Sequence, residues 1–264
     1  MITELIVQGI SVFMLIFCRM TAFFVVAPVF SSRSVPASFK IGISGIISLF
    51  ILLIQGVDQP VPADLEYILL ILREVLIGLL IGFAAFLIFA VIQTAGSFID
   101  IQIGFGIANV IDPMTGTSAP VIGNFKYIFA TLIFFSINGH HYLLDAVIRS
   151  YNWIPLNNDV FLRMASGNVT EFLVSAFGQS FVLAFQMAAP LVAALFLTDV
   201  ALGFLARTAP QFNVFVIGIP LKIIVGLAML MLLVSGFIYA FEHLFEVMFR
   251  ALHNLFGILG NQPS

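Results

Sequence analysis

The sequence predicts an all-α fold: a polytopic helical membrane protein, one integral-membrane domain over residues 1–264, with about six apolar segments and bent or broken helical hairpins among them. Three observations predict it. Hydrophobic residues make up 61% of the chain and charged residues only 9%, where a soluble globular domain carries about 25% charged residues. Several apolar runs reach the roughly 20 residues that a helix needs to cross a hydrocarbon core ~30 Å thick. Other runs are short, over-long or interrupted by proline, which suits hairpins that turn back as well as simple spans. The formal net charge of −3 offers no basic surface, so no nucleic-acid partner is expected. Cys18 is the single cysteine, which excludes an internal disulfide. Thirty phenylalanines stand against one tryptophan. Phenylalanine has no polar handle and fills apolar interfaces rather than anchoring at headgroups.

Residues 5–30 form the first apolar run. The preceding residues lack a basic n-region and the run is too long for a signal-peptide core, so it is expected to stay as the first membrane helix. Arg19 interrupts it, and an arginine at a helix centre costs roughly 2.5–3.5 kcal/mol on insertion scales, so it must face protein or water. Pro28 ends or kinks this helix, and residues 31–40 make a turn holding Arg33 and Lys40 without an acid. Residues 41–57 are a second run, followed by an acidic connection with Pro60 and Pro62. The third run, 65–95, carries Arg73 and Glu74. Neighbours on a helix point about 100° apart, so these two are not expected to pair with each other, and each requires a partner on another helix. Gly78 and Gly82 form a GxxxG, a spacing that permits close helix approach but is common by chance in apolar sequence.

Residues 127–137 are a short run ending in Asn138-Gly139-His140-His141. His141 and Asp145 have the i, i+4 spacing of a metal pair, but a solvated or interfacial helix start explains them better. Residues 149–168 read as an aqueous connection. The run 169–205 contains Gln179, Gln186, Pro190 and Asp199, and is expected to kink or split near Pro190. A Pro-rich loop over 207–222 and a strong run over 223–241 follow, then a C-terminal amphipathic helix over 242–260 with Glu242, Glu246, Arg250 and His253 on one stripe. Arg33 and Lys40 mark a cytoplasmic loop by the positive-inside rule, as do Arg207 and Lys222, which places both termini outside.

The stretch 94–126, TAGSFIDIQIGFGIANVIDPMTGTSAPVIGNFK, is too polar for lipid and too apolar for an ordinary exposed loop. Gly104, Gly106 and Gly116 permit backbone that a helix forbids, while Pro113 and Pro120 break or end helices. Gln102, Asn109 and Asp112 need partners or water; Phe105, Ile107, Val110 and Ile111 do not want water. Irregular backbone at membrane depth survives only when buried in protein or lining a cavity. The stretch therefore reads either as a plug-like loop in a pore or as a cytosolic turn with a partly buried amphipathic shoulder.

No enzyme constellation is present: there is no H-E-x-x-H, G-x-S-x-G or P-loop, and GFGIAN at 104–109 lacks the third glycine of a dinucleotide fingerprint. The chain is expected to be no enzyme, with no catalytic, cofactor-binding or metal residues, and any driving force comes from partners or the proton gradient. Glu74, Asp100 and Asp199 suit either a proton relay or ion pairs with Arg19, Arg73, Arg207 and Lys222. A small-solute secondary transporter with acids at mid-membrane is a competing class, although the elements around Pro113 and Pro210 do not repeat as transporter halves do. An intramembrane hydrolase using Asp100 or Asp112 is a weaker one.

Residues 94–113 and RTAPQFNVFVIGIPLKIIVG at 207–226 resemble the FliR family of flagellar type III export-gate membrane proteins. Asn138-Gly139-His140-His141 and the set Pro28, Arg33, Pro36, Lys40 support the resemblance, which runs through most of the chain. It implies a subunit of a helical pore complex with FliP-like and FliQ-like subunits, joined by an FlhB-like one, in the bacterial inner membrane at the flagellar basal body. Unfolded flagellar subunits pass through such a gate. The resemblance implies that Gly104, Phe105, Gly106, Ile107, Val110, Ile111, Asp112 and Pro113 belong to a channel plug. Pro210 and Gln211, beside Arg207, are implied to lie near the cytoplasmic mouth. Arg19, Arg73, Glu74, Asp199 and Arg207 are expected to be buried charges that serve assembly. Virulence injectisomes use a homologous subunit, which is the alternative assignment.

Overall fold

A computed structural model describes residues 2–32, 34–56, 65–105, 120–156 and 160–260. Among the described residues there are eight helices and no strand: α1 (Ile2–Val26), α2 (Ala37–Gln55), α3 (Leu65–Ile103), α4 (Val121–Ser136), α5 (Gly139–Trp153), α6 (Val160–Ala165), α7 (Asn168–Thr208) and α8 (Val214–Leu259). Five of them, α1, α2, α3, α7 and α8, are long and apolar enough to cross a membrane, and the bent pair α4 and α5 makes a sixth candidate. The fold class is thus the one expected, a multi-pass all-α membrane protein with about six apolar segments.

Local chemistry sets the breaks. α1 stops before Pro28, and Val29 takes a left-handed φ of 70°. α3 runs past the end of its apolar run and closes at Gly104, whose φ of 103° suits glycine, with the Gly104 and Phe105 amides donating back to the Asp100 carbonyl at 3.2 and 3.0 Å. The break between α4 and α5 falls at Asn138, left-handed at φ 57°, a conformation that asparagine tolerates.

Three boundaries differ from expectation. Pro190 lies inside α7, which is not split there. The Pro-rich loop shrinks to 209–213, because Pro220 rides inside α8. Proline is tolerated in membrane helices, where neighbours re-satisfy the freed carbonyl. Residues 242–260 are not a separate helix but the last turns of α8. Neither glycine nor proline stands between Phe241 and Glu246 to end the helix, so the change in surface chemistry marks a change of surroundings rather than a boundary. Its faces are as the pattern requires: Glu242, Glu246, Arg250 and His253 are exposed, while Leu244, Met248, Leu252, Leu255 and Leu259 are buried.

The chain divides into two compact units. The first comprises Met1–Leu87, Asn138–Ala176 and Glu246–Ser264. In it α1 packs against α2, and against α3 at the GxxxG: a Cβ on Gly78 would sit 2.3 Å from the Arg19 carbonyl oxygen, and one on Gly82 3.0 Å from the Val26 Cβ. The second comprises Ile88–Ile137 and Phe177–Phe245. There α3 meets α4 so closely that a Cβ on Gly96 would lie 2.1 Å from the Gly123 Cα. Phe89, Phe134 and Phe245 form an aromatic cluster with centroids 5.0–5.7 Å apart.

Candidate functional site

The described residues place the functional candidates in three sets: a charge cluster in the first unit, a polar set in the second, and two loop junctions. The charge cluster starts from α3. Glu74 and Gly78 are one turn apart and share a face. The bare backbone at Gly78 lets α3 come down on α1 at the level of Arg19, and the same contact brings Glu74 to that arginine. Arg19 Nε lies 2.6 Å from Glu74 Oε2 and Arg19 Nη2 3.1 Å from Oε1, a bidentate fork. Two further donors are used: Nη1 donates to Ser150 Oγ at 3.0 Å and Nη2 to the Ile154 carbonyl at 3.0 Å. The guanidinium lies 3.9 Å over the Tyr151 ring, and the Tyr151 hydroxyl donates to the Ile16 carbonyl at 3.2 Å. Arg19 and Glu74 are both fully buried.

Arg73 corrects the sequence reading. It does pair with its neighbour: Nη2 is 2.8 Å from Glu74 Oε1 and also donates to the Pro155 carbonyl at 3.0 Å. The 100° between adjacent Cβ directions is overcome by the reach of the arginine side chain, which curls back to the same carboxylate. Two cations thus share one anion, and main-chain carbonyls solvate the charge left over, tying α1, α3 and α5 together inside one chain. Glu74 has the partner on another helix that the sequence reading required, Arg19, and the in-chain ion pairs offered there as the alternative to a proton relay are the ones formed.

In the second unit, Asp100 is 3% exposed and caps α4 from outside. The Ile122 amide donates to both its carboxylate oxygens at 3.0 and 3.1 Å, and the Gly123 amide donates at 3.1 Å. A helix N-terminus has unsatisfied amides and a positive end, and Pro120 at the cap position offers no side-chain acceptor, so a carboxylate from α3 serves instead. Asp199 on α7 forms an ion pair with Lys222 of α8 and accepts from Gln102 Nε2 at 2.9 Å. It is partly exposed, and Arg207 is exposed at the end of α7, so these two are not the buried charges expected.

Of the expected plug residues, Gly104 and Phe105 are half-buried at the end of α3. Gly106, Ile107, Val110, Ile111, Asp112 and Pro113 lie outside the described residues. Pro210 and Gln211 are exposed in the turn between α7 and α8, which the Phe212 amide closes by donating to the Ala209 carbonyl at 3.1 Å. Asp145 pairs with Arg149 at 2.7 Å on the surface, and among the described residues no group of three or more His, Cys, Asp or Glu is placed to hold a metal.

Each acid of the proposed relay is thus occupied: Glu74 by two guanidinium groups, Asp100 by amides, and Asp199 by a lysine and an amide. The arrangement fixes helices and carries ion pairs. Sequence reasoning missed Ser150, the carbonyls of Ile154 and Pro155, and the capping role of Asp100. Only the last had a signal: an acid about one loop before a helix that starts on proline.

The sequence pattern of the bacterial export proteins, family 1, matches residues 10–248. The chain is 41% identical to the flagellar biosynthetic protein FliR of Bacillus subtilis, over 97% of this chain and 98% of the relative. It is 31% identical to the protein of the same name from Escherichia coli K12, over 91% of each. It is also 32% identical to the Yop proteins translocation protein T of Yersinia pestis, over 84% of this chain and 85% of the relative. With one pattern covering nearly the whole chain and end-to-end similarity to FliR proteins, the chain belongs to the bacterial export proteins, family 1, as a member of the FliR family.

Proposed function

We propose that this chain is a non-enzymatic subunit of the flagellar type III protein export gate in the bacterial inner membrane, at the flagellar basal body. It forms part of the channel through which unfolded flagellar subunits leave, and it assembles with FliP-like, FliQ-like and FlhB-like subunits. The observation that carries the reading is the end-to-end similarity to proteins named for flagellar biosynthesis. The surface supports it: in an apolar 18-residue stretch of each helix, only 17% of α2, 22% of α7 and 17% of α8 is buried by the chain itself, against 61% of α3. Such apolar area is covered by lipid or by other helices, and a subunit of a closed assembly supplies the second. The occupied acids favour this class over a proton-coupled transporter.

The virulence reading rests on the similarity to a Yop translocation protein, which has lower coverage than the Bacillus relative. Disrupting the gene distinguishes the two. The flagellar assignment expects cells without filaments that regain them when the gene is restored; intact filaments with loss of another secreted protein class would overturn it.

Residues 104–113 act as the plug that keeps the gate tight at rest. The apolar bulk of Phe105, Ile107, Val110 and Ile111 excludes water, and the glycines give the backbone freedom to move aside. Deleting residues 106–115 is expected to leave assembly intact while making cells sensitive to sodium or small dyes. Assembled complexes in tight membranes would refute this role.

A further inference from the structure

Lys126, on α4, is 1% exposed, and among the described residues its Nζ has no hydrogen-bond partner. It faces the Phe237 ring of α8, 4.6 Å from the centroid. It lines a groove of about 350 Å³ between α4 and α8, in the second unit, whose other lining residues are all apolar. The floor is buried, with Phe237 at 8% and Phe241 at 0%, while the rim is open and apolar, with Phe125 at 56% and Met231 at 78%.

A buried ammonium without a carboxylate is costly, and one ring face offsets only part of that cost, about 0.5–2 kcal/mol. A lysine stem is long enough to carry its charge toward water, yet here the charge is held inward. We infer that this groove is the docking site for an apolar membrane helix of another subunit that presents one carboxylate to Lys126. The inference rests on the export-gate reading for the existence of such a subunit, but not for the site.

Charge complementarity selects an anion, and shape selects a side chain. A helix is 10–12 Å across with its side chains and does not enter the groove, whereas a few of its side chains do, and its apolar flanks cover Phe125 and Met231. An anionic lipid fits less well. Its phosphate stays at the headgroup plane, while the groove is lined by residues of α8 between Leu227 and Phe241, within the uncharged stretch from Lys222 to Glu242.

The test uses the full chain in its native membrane, with a photo-crosslinking amino acid in place of Met231. The expected product joins this chain to an identified apolar peptide of another subunit with Asp or Glu within one turn of the crosslink. Lys126→Met should cut the yield of the assembled complex roughly tenfold or more, because it leaves the partner's carboxylate buried and unpaired. The level of the chain itself in the membrane should hold, since removing an unpaired buried cation relieves the isolated chain. Lys126→Glu should do the same, and exchanging the partner's acid for lysine should restore assembly. A crosslink only to lipid, only to this chain, or to a peptide without an acid overturns the inference, as does full assembly of Lys126→Met. A chain found in no complex at all, with wild-type Lys126, would instead sink the export-gate reading.

Discussion

Glu74 is the point at which the first unit is most exposed to a single substitution. Its carboxylate takes Arg19 Nε at 2.6 Å, Arg19 Nη2 at 3.1 Å, Arg73 Nη2 at 2.8 Å and Arg73 Nε at 3.3 Å. Glu74→Gln keeps the shape and removes the anion, leaving two guanidinium groups buried side by side. Stranding one partner of a buried pair costs about 3–5 kcal/mol, which for a chain of this size corresponds to a melting point lower by roughly 6–20 °C. Arg19→Met is the informative comparison. It leaves a neutral Arg73–Glu74 pair, and Ser150 keeps its bond to the Val147 carbonyl at 2.6 Å. The main loss is the Ile154 carbonyl, left without its donor, at about 1–3 kcal/mol. The anion should therefore matter more than the cation, although each substitution breaks the same ion pair. The double variant should cost less than the two single costs added, because the residues share one network. The measurement is the heat-induced aggregation midpoint of the protein in its native membrane, with membrane levels in parallel. If Arg19→Met falls as far as Glu74→Gln or further, the charge count is wrong and the cluster is not held together by Glu74.

Two further substitutions test the second unit. Asp100→Ala should orphan the amides of Ile122 and Gly123 at about 1–3 kcal/mol and speed their hydrogen exchange relative to the rest of α4, with Asp100→Asn recovering part of the protection through its remaining acceptor; unchanged exchange at those amides would dismiss the cap. Gly96→Ala should lower membrane levels because its Cβ would meet the Gly123 backbone, whereas Gly178→Ala, with open space around it, should be neutral or slightly stabilising; equal behaviour of the two would refute close approach of α3 and α4.

The fold class was legible because composition alone excludes a soluble domain, and the apolar runs sit within a few residues of α1, of α2 and of the start of α3. What misled was punctuation. Pro190 and Pro220 look like breaks on the scale of soluble helices, yet both lie within uninterrupted helices. Conversely, α3 continues through Thr94, Gly96 and Ser97 to Ile103, because Gly96 is packed against Gly123 and costs little where a side chain has no room. The GxxxG at Gly78 and Gly82 was visible but carried little weight, since the spacing is frequent in apolar sequence. Its meaning came from what faces it, the backbone of α1 at Arg19, which periodicity on one helix does not reveal.

The charges teach the same point in the opposite direction. Arg19, Arg73 and Glu74 read as groups that require partners on other helices, with ion pairs among them as one alternative. The structure pairs Arg19 with Glu74 across 55 positions of sequence, Arg73 with its neighbour Glu74, and finishes the job with carbonyls at Ile154 and Pro155, groups that every residue carries and that no sequence pattern singles out. Once those charges are satisfied internally, they no longer argue for assembly. What does argue for it is the uncovered apolar surface of α2, α7 and α8, together with Lys126, whose buried ammonium has no hydrogen-bond partner among the described residues. An apolar face alone is indifferent to lipid and protein, since both satisfy it equally. A buried cation is not indifferent. It distinguishes a helix bearing a carboxylate from one without, and it specifies a register along α4 and α8 where the apolar residues around it do not.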